Sequence, residues 1–320
     1  MVTTTPDSGD RTVGLHHVTA IANDPGANVA FYTDVLGLRL VKQTVNFDDV
    51  ETYHLYYGDK VGTPGTAMTF FPFANGTSGT VGRGQPSATA FVIPEGSVDY
   101  WTDRLESEGV DRDDPVERFG ETVVPFRDPD GQPLELVVGE SDIEPWADGP
   151  VPAEHAVRGF HGVTLDSLDP AATDGALSAL GYEAVAEEGD RTRYRAAGDR
   201  AAVVEVLDRP DGRHGQQGVG TVHHVAFRAP DEETQLAWRE RLVDAGYRVT
   251  EQKDRQYFKS IYFREPGGIL FEVATDGPGF TRDESVDELG SDLQLPPWLE
   301  GSRESIEAAL PPLAGAEATR

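Results

Sequence analysis

Short apolar runs with polar residues between them recur along this chain in one order, four times. The first unit opens with residues 15–21, Leu15-His16-His17-Val18-Thr19-Ala20-Ile21, which reads as a strand. A helical stretch follows at 25–36, with Val29, Phe31 and Tyr32 among its apolar positions and Gly37 where a helix end takes glycine. Strands are predicted next at 39–44, 52–57 and 66–71. The second unit opens at 87–93, has a helix at 98–108 stopped by Gly109, and closes on 133–137. The third opens at 159–165, has a helix at 170–180 stopped by Gly181, and closes on 202–207. The fourth opens at 221–228, has a helix at 231–245 stopped by Gly246, and closes on 269–274.

One strand-helix-three-strand unit leaves a face of its sheet uncovered, and two side by side curl into a cup. The expectation is an α+β fold of four βαβββ units forming two cupped, barrel-like domains. Units one and two span 10–138, a Pro-, Asp- and Glu-rich linker covers 139–157, and units three and four span 158–275. The tail, 276–320, reads as loop to about residue 292. An amphipathic helix over 296–310 then carries Trp298, Leu299, Ile306 and Leu310 as a packing cap.

Composition narrows the function. The 320 residues carry a net charge of −29, and Lys42, Lys60, Lys253 and Lys259 are the only lysines. An acidic surface keeps a protein soluble, and at high salt screening relieves its self-repulsion, so a halophilic source is expected. No basic stripe is present to meet phosphates, which argues against nucleic acid and anionic membranes as partners. With no cysteine, disulfides, thiolate metal sites and cysteine nucleophiles are excluded. Residues 1–10 are polar and no apolar run is long enough to span a bilayer, so a cytoplasmic location is expected. The partners expected are small molecules. Pairing of whole chains stays open.

The candidate chemistry lies in two His-His pairs, His16-His17 and His223-His224, each opening a unit. Adjacent strand residues point to opposite faces, so one histidine of each pair faces the cup. Aligning units on their shared valine matches His17 with His224 and His16 with His223, while unit three offers His161 beside Gly162. Counting from the closing turns, Glu272 is the sixth residue after Pro266, Glu135 the sixth after Pro129, and Phe70 the sixth after Pro64. Units one and four thus supply His17, His224 and Glu272. Two imidazoles and one carboxylate suit Fe(II), with Mn(II) as the alternative, and leave positions open. His161 is the rival ligand. His54 reads as a core residue or a support to the ligands, Glu135 and Glu205 as surface acids in preference to remnants of a second site, and His155 and His214 as solvent-exposed.

The repeated layout resembles the vicinal oxygen chelate superfamily, over about residues 14–275. In that superfamily a glyoxalase-type site would use four protein ligands, whereas here the fourth position reads as Phe70. Longer motifs are more specific: Leu38-Arg39-Leu40-Val41-Lys42-Gln43-Thr44-Val45-Asn46-Phe47-Asp48, Tyr53-His54-Leu55-Tyr56-Tyr57-Gly58-Asp59, Gly62-Thr63-Pro64-Gly65-Thr66, Phe70-Phe71-Pro72-Phe73 and Leu295-Pro296-Pro297-Trp298-Leu299-Glu300. With Leu15-His16-His17 and Thr221–His224, these are similar to the ring-cleaving dioxygenase group that includes hydroquinone dioxygenases.

That resemblance implies an Fe(II) centre held by His17, His224 and Glu272. It further implies Arg255 and Tyr262 as pocket residues, with His16, Thr19 and His223 nearby. The expected reaction opens a hydroquinone- or catechol-type ring with O2, an extradiol type of chemistry, between apolar walls such as Tyr53, Tyr56 and Phe70. Two other readings remain: a glyoxalase-type metal-dependent lyase or isomerase, and a non-catalytic small-molecule binder on the same fold.

Overall fold

The computed structural model describes residues 11–313, so the polar segment 1–10 considered above lies outside them. Unit one comprises β1 (Leu15–Ala22), α1 (Pro25–Ala30), β2 (Arg39–Asn46), β3 (Asp49–Gly58) and β4 (Ala67–Pro72). Unit two comprises β5 (Gln85–Ile93), α2 (Val98–Ser107), β6 (Val116–Arg118), β7 (Glu121–Arg127) and β8 (Pro133–Val138). Unit three comprises β9 (Phe160–Asp166), α3 (Pro170–Ala179), β10 (Glu183–Glu188), β11 (Arg191–Arg195) and β12 (Val203–Leu207). Unit four comprises β13 (Thr221–Ala229), α4 (Glu232–Asp244), β14 (Lys253–Asp254), β15 (Lys259–Arg264) and β16 (Leu270–Thr275). The tail holds α5 (Arg303–Ala309).

Two curled eight-stranded sheets result, one ordered β14-β15-β16-β13-β1-β4-β3-β2 and the other β10-β11-β12-β9-β5-β8-β7-β6. Unit one therefore shares a sheet with unit four, and unit two with unit three. In each sheet the first strands of the two units meet antiparallel, while the first and last strands of a unit run parallel. Strand parity sorts the side chains. Val18, Ala20, Met68, Phe70, Val225, Phe271 and Val273 join the main core. Tyr56, Ala226, Phe258 and Ala274 form a separate cluster in the cup of the first sheet.

Helix starts follow local chemistry. Asp24, Asp169 and Asp231 each accept a backbone N–H three residues on, and proline follows two of them at the first helical position. Gly37, Gly109, Gly181 and Gly246, at φ between 69° and 94°, end the four turns in a conformation that favours glycine. The helix expected over 25–36 changes character partway. After Ala30 the chain widens into a π-turn over Phe31–Val35, where the Leu36 N–H donates to the Phe31 carbonyl.

The tail is a strap along the edge strand β2. Fully buried Lys42 donates to Asp283 (2.6 Å) and to Glu284, and the Gln43 amide donates to the Gly290 carbonyl. This covers an edge that would otherwise be open to pairing. The helix expected over 296–310 is shorter: a 3-10 turn over Glu300–Ser302 leads into α5, since Pro296 and Pro297 supply no backbone donors. Ile306 and Leu310 pack into the core, whereas Trp298 is 54% exposed and meets Phe47 edge-on. Among the described residues no helix is long and apolar enough to cross a membrane.

The β7–β8 turn of unit two meets the π-turn that follows α1. The Tyr32 hydroxyl donates to the Asp128 carboxylate, which also accepts the N–H groups of Asp130 and Gln132. Burial pushes the Asp128 carboxyl up to about 6, and the Asp130 charge adds to this. The folded state therefore holds this proton more tightly than the unfolded chain, and stability from it is lost as pH rises through 6. Asp128→Asn should be more stable than the wild type at pH 8 by about 2 kcal/mol, and the difference should shrink toward pH 4. Urea midpoints across that range measure it; a difference independent of pH would refute the assignment.

Candidate metal centre

β1 and β13 pair with His17 opposite Ala226, Val18 opposite Val225 and Thr19 opposite His224. The pairing is interrupted twice. Leu15 faces Phe227 and His17 faces Ala226, so His16 is an extra residue; Thr19 faces His224 and Ala20 faces Val222, so His223 is another. These are β-bulges, and they break the alternation that would send His16 and His223 to the far face. His16 Nδ1 lies 2.9 Å from His17 Nδ1, and His223 Nδ1 lies 2.8 Å from His224 Nδ1. The parity expectation for these two residues is thus corrected: each bulge turns its histidine beside its neighbour.

Glu272 arrives on β16, paired opposite Ala226. Its Oε2 lies 2.9 Å from His224 Nε2 and 3.4 Å from His17 Nε2, and the two Nε2 atoms are 3.3 Å apart. All three residues are buried. Ser260 on β15 donates to Glu272 Oε1 at 2.5 Å and fixes the carboxylate's plane. Burial holds the His224 imidazole below its ordinary value, and burial with the neighbouring His17 does the same for His16. Burial takes His223 down to about 3. Burial alone would raise the Glu272 carboxyl, but His17 and His224 beside it hold it well below the usual range.

A divalent cation fits this cluster. The ionised Glu272 carboxylate and the lowered His224 imidazole suit metal binding, which needs deprotonated ligands. The three edges match the cis edge of about 3 Å in an octahedron with bonds of about 2.1 Å. If His17 and His224 present bare Nε2 atoms, their protons sit on Nδ1 and donate to His16 and His223. Such an outer hydrogen bond fixes the tautomer and aim of a ligating ring.

The register also revises the fourth position. Met68 faces Val18 as Phe271 faces Val225, so the counterpart of Glu272 is Thr69 and not Phe70. Phe70 points into the main core against Tyr32. Thr69 is fully buried, and its hydroxyl meets Thr19 (2.8 Å) and His54 Nε2 (2.9 Å). The Tyr56 hydroxyl bonds to His54 Nδ1 at 2.8 Å. Thr19 thus stands behind the cluster, and the fourth position is not a carboxylate.

The cluster forms one end of a cavity of about 300 Å³, walled by Phe47, Tyr56, Phe71, Phe73 and Phe258. That is the low end of the range for small-ligand pockets and suits one aromatic ring. Tyr56 is a wall as expected, but Tyr53 and Phe70 face the core. His54 lines the cavity, as do His223, Arg255 and Tyr262. Arg255 Nε donates to the Tyr262 hydroxyl at 3.1 Å. The Tyr262 phenol is raised well above 10 by burial and by the Glu272 charge, so it stays protonated.

The second cup is filled differently. Ser87 and His161 are its bulged residues, and Gly162 takes the place of His224. A Cβ at Gly162 would lie 2.2 Å from the Val203 carbonyl oxygen, so no ligand fits there. Glu135 and Glu205, expected at the surface, are buried and paired with Arg118, Arg191 and Arg193. His161 faces Glu121 at 3.2 Å and does not reach the His17 cluster. His214 is exposed as expected, whereas His155 is half-buried and stacked on Tyr100.

Residues 14–136 and 159–273 match the family model for the glyoxalase/bleomycin resistance protein/dioxygenase superfamily. MhqO of Bacillus subtilis (strain 168), named as a candidate ring-cleaving dioxygenase, is 49% identical over 94% of this chain and 97% of its own length. The chlorohydroquinone/hydroquinone 1,2-dioxygenase of Sphingobium indicum is 36% identical over 93% of this chain and 95% of its own. A crystal structure of a candidate dioxygenase from Bacillus subtilis subsp. subtilis str. 168 superposes with a TM-score of 0.92 at 49% identity, covering 95% of this chain and 98% of that one.

The Ser260 bond to Glu272 generates a prediction. Ser260→Ala frees the carboxylate to rotate and should weaken divalent-metal binding about tenfold to a hundredfold. A chelator-competition titration measures this, and an unchanged affinity would mean that Ser260 does not position the carboxylate.

Proposed function

The chain belongs to the glyoxalase/bleomycin resistance protein/dioxygenase superfamily and is a ring-cleaving dioxygenase, and we propose that it opens hydroquinone- or catechol-type diols with O2 at an Fe(II) held by His17, His224 and Glu272. The observation that carries this reading is the convergence of three buried ligand atoms at one end of an aromatic-walled cavity, with Thr69 where a fourth carboxylate could stand. A metal held by only three protein groups would keep positions open for a substrate oxygen and for O2. Fe(II), when bound, supplies the electron path that lets O2 react with a closed-shell ring. Mn(II) would be held by the same atoms. The extradiol mode of cleavage and a cytoplasmic setting belong to this same reading.

The protein's own residues hold and screen the reactants. Phe47, Phe71 and Phe258 give a flat ring apolar walls and exclude water. The Tyr262 oxygen already accepts from Arg255, so its hydrogen is free to donate to an oxygen of the substrate. The Arg255 charge favours the ionised form of a phenol that binds near it. His16 and His223 keep His17 and His224 aimed at one point. A glyoxalase-type lyase would want a fourth ligand, which Thr69 does not supply as a carboxylate.

Anaerobically Fe(II)-loaded protein should consume O2 when given hydroquinone or catechol, in a one-to-one ratio with diol. His17→Ala and Glu272→Ala should each lose at least about a thousandfold in rate, since an incomplete ligand set holds no metal. An oxygen electrode with a parallel iron assay reads both. No uptake from protein holding stoichiometric iron would refute the diol reading and move the lyase reading ahead.

A further inference from the structure

Two cations stand among the residues lining the cavity, Lys253 and Arg255, and both lie over the Tyr262 ring, at 5.9 and 5.3 Å. Left alone they would make an anion site at the cavity's outer end. They are not left alone. Asp48, on the β2–β3 turn of unit one, reaches across to unit four and accepts from Arg255 at 2.8 Å, with Lys253 at 3.8 Å. Its side chain is 60% exposed and that of Lys253 is 45% exposed, against 17% for Arg255, which places the trio at the mouth. Among the described residues the rest of the nearby wall carries no further Lys or Arg: Phe47, Phe73, Phe258 and Leu270 are apolar, and Asn46 and Thr250 are uncharged.

We propose that Asp48 is a specificity-determining residue: its carboxylate is an internal occupant of the Arg255–Lys253 site and restricts the cavity to diols whose ring bears no anionic substituent. This rests on the aromatic-diol reading above. A ring carboxylate directed to the mouth must displace Asp48 or stand beside it as a like charge, whereas hydrogen, alkyl or halogen substituents meet the apolar wall. Rejection by a resident like charge is a repulsive element of specificity, separate from any attraction to the preferred ligand. The same bond ties unit one to unit four across the mouth and keeps Arg255 Nε turned to Tyr262.

The test compares wild type with Asp48→Asn at one fixed ionic strength. Calorimetric titration of metal-loaded protein with 4-methylphenol and with 4-hydroxybenzoate reads binding. Initial rates on hydroquinone and 2,5-dihydroxybenzoate read turnover. The wild type should favour the uncharged member of each pair, and Asp48→Asn should move both ratios toward the carboxylate about tenfold or more, chiefly through KM. Adding Arg255→Gln to Asp48→Asn should remove that gain. Ratios equal in the two proteins, a wild type that prefers the carboxylate, or no binding of either phenol would each overturn the proposal. If the titrations shift as expected while neither diol is consumed, the Asp48 assignment stands and the diol-cleavage reading fails.

Discussion

The pairing of β1 with β13 is the constraint on which the site depends. It joins the first strand of unit one to the first strand of unit four, and its register decides whether His17 and His224 share a face. A slip of one residue in either strand would carry that strand's histidine to the core side and part the two. The two bulges sit within this same ladder and turn His16 and His223 onto their neighbours. Glu272 follows because β16 is parallel to β13, and Ser260 follows because β15 is antiparallel to β16. One ladder thus sets the ligands and the groups that aim them. A buried carboxylate beside two buried imidazoles is costly without compensating charge, so the cluster is suited to a cation and to little else.

Much of this was legible in the sequence, for reasons that particular residues show. The fourfold recurrence and the glycines after each helix mark the units because helix ends and strand alternation are local properties. His17, His224 and Glu272 emerge from aligning the units, since repeated backbones place equivalent residues equivalently. What failed was non-local. A bulge is a relation between two strands, so a count along one strand cannot reveal that His16 and His223 stay beside their neighbours. Counting from Pro64 gave Phe70, but register against β1 makes Thr69 the counterpart of Glu272. Glu135 and Glu205 looked like surface acids because Arg118, Arg191 and Arg193, which neutralise them, come from other strands.

The two cups show how little separates a ligand cluster from a structural one. Both have the same strand order and bulges at the same two positions. In the first, the inward residues are imidazoles and one carboxylate around open space. In the second, glycine replaces a histidine where another strand's carbonyl crowds in, and arginines close the cup with ion pairs. The fold supplies a concave floor twice, and among the described residues only the first carries a His and Glu cluster of metal-ligand type.

The chain order of the units has a consequence for how the protein matures. β1 is synthesised early, yet its partner β13 leaves the ribosome only after units two and three have been made. Units two and three are neighbours in sequence and can close their own sheet while translation continues. Unit one meanwhile carries an unpaired strand edge, a hazard that its acidic surroundings help to blunt. The first cup, with its pocket and its three converging ligands, is complete only when both ends of the polypeptide have come together. On the proposed reading, uptake of an ion would be a closing event in biogenesis, because Glu272 lies on β16, the last strand to be made.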